Sequence, residues 1–245
     1  MEKYGDNLAF DWSGQWCNAD DGVQDVAAPG PGDNANLTFN SVAVALTADT
    51  LHFDKFDASM FTGTVAMAGY SIDCNASYCW LGGTFTGDVG AKIYSSVDFI
   101  ATAGMSFDPD IEIVLDAAGG SSNITTNGVT IGDLTIGGGA EFTLGDALSC
   151  GSISLASGTL NLSDQAVTMT AGSTITQTGG ALTSPTDYGA TIDAAGAVIS
   201  GITASKWINV TNGIDGGGNA KLAGLIPMLP PLGGSAGGAI LSARR

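Results

Sequence analysis

A chain of 245 residues with 44% hydrophobic side chains can bury a core, and 37 glycines against 13% charged residues suit a backbone that turns every few positions rather than a helical one. Lys and Arg total 7 against 24 Asp and Glu, a formal charge of -17. That excludes the clustered cations that nucleic acid demands and disfavours anionic glycans and anionic membranes, while divalent cations, neutral glycans and protein surfaces stay open. No apolar run approaches the ~20 residues of a membrane-spanning helix.

Residues 1–36 are predicted to form an N-terminal lead-in and cap. The opening, MEKYGDNLAFDW, has no apolar h-region, so no signal peptide is expected there. Trp12 and Trp16 are expected to plug the open end of the fold, with a carbohydrate platform as the sharper alternative. Pro29-Gly30-Pro31-Gly32 supplies a tight turn into the first repeat.

Residues 37–219 carry short apolar-x-apolar triplets bounded by Gly, Ser, Asn or Asp. Each reads as a strand with two side chains in and one out. Up to Phe107 the triplets are irregularly spaced and rich in aromatics. His52, the one histidine, sits at the centre of such a triplet and is expected to point outward. Asp108-Pro109-Asp110 marks a corner, and the regular array starts at Ile111. Val129–Leu182 is the clearest stretch. Within it Leu134-Thr135-Ile136 aligns with Ile153-Ser154-Leu155, Phe142-Thr143-Leu144 with Leu160-Asn161-Leu162, and Leu148 with Val167-Thr168-Met169, at offsets of about 18–19 residues. No triplet can bury its apolar face alone, but stacked as rungs they bury a continuous core. The predicted fold is all-β: a single-stranded parallel β-helix, or β-solenoid, with about three short strands per rung.

After Leu182 the repeats loosen. Trp207 is expected to cap the far end, and Ile214–Asn219 forms a Gly-rich turn in which Asp215 is a candidate calcium ligand. Residues 220–245 change composition to apolar, Pro- and Gly-rich sequence ending in Arg244 and Arg245. Pro227, Pro230 and Pro231 forbid a regular helix through their middle. An extended C-terminal arm is expected, binding a partner through Leu222, Leu225, Ile226, Met228, Leu229, Leu232, Ile240 and Leu241; a tail folded on its own solenoid is the alternative.

Chemistry is sparse. Cys17, Cys74, Cys79 and Cys150 lack the close spacing of a zinc site. Cys74 and Cys79 flank a short loop and are a candidate disulfide, or else buried small hydrophobes. There is no Gly-x-Ser-x-Gly elbow, HExxH or P-loop. Asp98, Glu112, Asp116 and Glu141 are outward acids that could supply a carboxylate pair for glycoside hydrolysis; the simpler reading is that they keep an acidic solenoid soluble. No catalytic residue, metal ligand or cofactor is assigned.

Three phrases carry a resemblance. They are Trp12-Ser13-Gly14-x-Trp16 followed by Pro29-Gly30-x-Gly32-Asp33 with Leu37 and Phe39; the array FTLGDALSCGSISLASGTLNL; and Asn209-Val210 followed by Asp215-Gly216-Gly217-Gly218-Asn219. Together they resemble β-solenoid structural and adhesin proteins of bacteriophages and bacteria. The resemblance implies a non-catalytic virion structural protein at the particle surface, a head decoration or spike or a tail-fibre-type component. It implies a homo-oligomer, a trimer among the options, contacts to other virion proteins through the arm, and host-surface glycan as a further partner. The alternative is a glycan-binding or polysaccharide-cleaving β-helix protein.

Overall fold

The triplets form strands of two to five residues, plus one of nine, because alternation buries only every second side chain and Gly, Asn or Asp then turns the chain. A computed structural model describes residues 2–5, 10–11, 16–17, 34–36, 43–46, 55–74 and 78–227. Throughout these residues the fold is all-β, a parallel β-solenoid of about 8 turns. The chain visits three faces in a fixed order. Asp98–Ala101, Ser106–Phe107 and Glu112–Leu115 make one such rung.

The first face runs from Asn34–Asn36 through Lys55–Asp57, Tyr78–Leu81 and their successors to Ala181–Thr183. The second is a 9-stranded sheet from Ser71–Cys74 to Ile226–Pro227. The third is carried by two ladders, one ending at Ser106–Phe107 and one running from Leu148–Cys150 to Thr191–Asp193. The nine-residue strand Thr203–Thr211 joins faces: Ala204 pairs with Leu182 of the first, and Asn209 with Thr191 of the third.

The predicted registers are the observed ones. Leu134 pairs with Ile153, Phe142 with Leu160, and Leu148 with Val167. Stacking is not confined to residues after Ile111. On the second face one inward column runs Ile72, Ile93, Ile113, Leu134, Ile153, Ile175 and Ile199 through consecutive parallel pairs. Every member of that column is buried. On the first face Phe56, Cys79, Phe99 and Ile124 stack in the same way. Each full side chain of this kind contributes roughly 1.5–3 kcal/mol of burial. Because each rung covers the next, the core is continuous.

Where the backbone ladder breaks at corners, side chains replace it. Asp146 Oδ1 accepts from the Thr126 amide at 2.9 Å and its Oδ2 from the Asn127 amide at 2.5 Å. Asp98 takes the Asn123 amide at 2.7 Å, and Asp133 the Ser152 amide at 2.6 Å. Asn127 Nδ2 donates to the Ala101 carbonyl at 2.7 Å. Gly138 shows why glycine is needed at one corner: its φ is +62°, and a Cβ there would run into the Ala117 carbonyl.

At the N-terminal end Glu2–Gly5 pairs in parallel with Asn34–Asn36, and Trp16–Cys17 pairs antiparallel to Glu2–Gly5. That reversed strand is the edge of the first sheet. At the other end the ladder runs on past Asn219. Ala220–Ala223 pairs with Thr203–Thr211, and Ile226–Pro227 with Ile214–Gly217. A proline fits Ile226–Pro227 because this is the edge strand of its sheet.

Candidate functional surface

Among the expected outward acids, three are tied to neighbours. Glu112 Oε2 lies 2.8 Å from Lys92 Nζ, and its Oε1 accepts from Thr135 Oγ1 at 2.7 Å. Partial burial alone would raise the Glu112 pKa. The hydrogen bonds from Lys92 and Thr135 and the Lys92 charge outweigh it, so the carboxyl sits below its ordinary value of 4.5. Glu141 accepts from Asn161 Nδ2 at 2.8 Å, and Asp98 is held by Asn123. Asp116 sits against Gly137 and Gly138 at a corner.

The structure also brings together acids that sequence reasoning did not group. Asp110, Glu112 and Asp133 border a depression of about 190 Å³ beside Val89 and Pro109. Glu112 is neutralised by Lys92, and Asp133 is used by the Ser152 amide. A general acid needs a carboxyl pushed up, whereas Glu112 is pushed down. A neighbouring groove of about 340 Å³ runs across several rungs between Phe107, Pro109, Thr130, Ser152 and Ser173, with Asp133 as its one carboxylate. No group of three or more His, Cys, Asp or Glu among the described residues could hold a metal ion. Asp215 accepts from the Gly217 amide at 2.9 Å and from Asn219 Nδ2 at 2.7 Å; Asn219 Oδ1 in turn accepts from the Ile202 amide at 2.9 Å. This carboxylate closes a turn.

The candidate disulfide partners are brought into contact. Cys74 and Cys79 are fully buried, with Sγ atoms 3.2 Å apart and no bond between them. Burial first, then the contact with Cys79, pushes the Cys74 thiol well above its ordinary value. Burial likewise pushes Cys150 up to about 12, with a smaller contribution from Asp133.

The end-capping residues separate. Trp12 lies outside the described residues, and Trp16 contributes backbone to the edge strand. Trp207 does not cover the core. Alternation along Thr203–Thr211 turns Ile208 inward and leaves Trp207 41% exposed. Its ring lies against Tyr188, with centroids 6.0 Å apart and planes 10° apart. Tyr188 was not singled out by sequence reasoning, because nothing in SPTDYG marks which residue turns outward. Of the arm residues, Leu222 and Leu225 pack partly buried against the core. Ile226 is exposed, and Met228, Leu229, Leu232, Ile240 and Leu241 lie outside the described residues, as does His52.

Compared with known proteins, the chain matches no family model, no curated protein and no solved structure. Its classification as a β-solenoid rests on the strands and their pairing.

Proposed function

We propose that the protein is a non-catalytic structural solenoid of a bacteriophage particle surface, a head decoration, spike or tail-fibre-type component that assembles with other virion proteins. One observation carries the non-catalytic part of the reading. The outward carboxylates Asp98, Glu112, Asp133, Glu141 and Asp146 are committed to bonds within or between rungs. An acid used this way ties one rung to the next and stiffens a spacer. The phage setting is supported by the three phrases at residues 12–39, 142–162 and 209–219. Attachment is assigned to residues 228–245, since Leu222 and Leu225 are used by the solenoid itself.

The test is incubation of the full chain with capsular and neutral polysaccharides, followed by a reducing-end assay. No release of reducing ends is expected. Turnover abolished by Glu112→Gln or Asp133→Asn would overturn the proposal and favour a polysaccharide-cleaving β-helix.

A further inference from the structure

We propose that Tyr188 and Trp207 form a stacking platform for a neutral glycan. This adds a ligand class to the surface reading and stands whether or not the protein sits on a particle. Both rings are exposed, 51% and 41%, and they are nearly parallel. Tyr188 has φ +65°, in the left-handed region. Described corners elsewhere fill that region with Gly, Asn, Asp, Ser, Ala or Lys. A bulky ring there is costly, and this one gains little burial in return. The core therefore does not explain why an aromatic residue occupies this corner.

The backbone under the rings is held at several points. The Tyr188 amide donates to the Trp207 carbonyl at 2.6 Å, and the Trp207 amide to Asp187 Oδ1 at 2.8 Å. The preceding turn is tied to Asp164, which accepts from Ser184 Oγ at 2.6 Å and Thr186 Oγ1 at 2.8 Å. These bonds, Ser184's first, hold the Asp164 carboxyl below its ordinary value, so it stays an acceptor. The backbone carrying the rings is thus pre-positioned, which lowers the ordering cost of binding.

The chemistry selects the ligand. Flat aromatic faces match the C–H faces of pyranose rings, and the nearest polar side chains, Asp187 and Asn209, are bonded to the Trp207 amide and the Tyr188 carbonyl, so binding is carried by the rings. The formal charge of -17 argues against an acidic polymer.

Affinity electrophoresis of the full chain through gels containing dextran, β-1,3-glucan or galactomannan tests this, with polygalacturonate as the anionic control. At least one neutral polymer should retard the protein, and polygalacturonate should not. Tyr188→Gly and Trp207→Ala should each weaken retardation about tenfold or more, equivalent to about 1.4 kcal/mol. Trp207→Phe should retain it, and unchanged far-UV circular dichroism should show that each variant folds. The proposal is overturned if no neutral polymer retards the protein, or if Trp207→Ala is retarded as strongly as the parent. It is also overturned if the substitutions change the sedimentation coefficient and leave glycan binding intact, which would make the rings a contact between copies of the chain.

Discussion

Lys92 and Glu112 face each other across adjacent rungs of the second face, directly paired in register and joined at 2.8 Å. The pair's contribution to stability is lost at both ends of the pH range. Partial burial opposes the shift at Glu112, but the bonds from Lys92 and Thr135 hold its native pKa below 4.5. Its contribution is therefore present above 4.5 and is lost as pH falls through the lowered native value. The bond to Glu112, opposed by desolvation, raises Lys92 above 10.5. Its contribution is present below 10.5 and is lost as pH rises through the raised value. Urea denaturation of Glu112→Gln at pH 7 should show a loss of about 0.2–1 kcal/mol, typical of a partly exposed pair. The difference from the parent should shrink as pH falls below 4.5 and vanish once Glu112 is protonated in the native state.

A larger effect is expected at Asp146. Its two oxygens serve the amides of Thr126 and Asn127, and Thr126 is fully buried. Asp146→Ala leaves those donors without their acceptor and should cost about 1–3 kcal/mol in urea denaturation. Loss below a few tenths of a kcal/mol would show that the corner repacks around water.

The buried thiols should be inert in the native state. Thiolate is the reactive form, and burial pushes Cys74 well up and Cys150 to about 12. Iodoacetamide at pH 8 followed by peptide mapping should leave Cys74, Cys79 and Cys150 unmodified under native conditions. The same reagent in denaturant should label all three.

Removal of residues 228–245 should separate folding from attachment. Leu222 and Leu225 pack on the core and Ile226–Pro227 completes the second-face ladder. The truncated chain should keep its thermal transition and β circular dichroism but lose incorporation into particles. Normal incorporation would refute the arm's assigned role.

The fold was legible where similar apolar-x-apolar triplets follow one another one rung apart. The Leu134–Ile153 and Phe142–Leu160 pairings follow from triplet alignment alone, because strand period and rung length agree there. Before Ile111 the same stacking exists, with Ile72 on Ile93 on Ile113 at steps of 21 and 20 residues, but sequence alone did not single out those pairings. Beyond Leu182 the second-face column steps from Ile175 to Ile199, a longer rung, and the strand Thr203–Thr211 serves two faces. Sequence spacing does not show that Ile208 points in along that strand, and that is what turns Trp207 outward. The tie between Tyr188 and Trp207 crosses rungs and involves a left-handed tyrosine, so spacing does not reveal it. In sequence the acids read as a solubility coat, and the bonds that tie Asp98, Glu112 and Glu141 to neighbouring rungs follow only from the stacking.

The most direct measurement of the central claim is electron microscopy of purified phage particles from the source of this chain, labelled with antibody to the solenoid. The account predicts regular surface label on intact particles that disappears when residues 228–245 are deleted. Particles that are never labelled, with the protein recovered only free in the lysate, would contradict it.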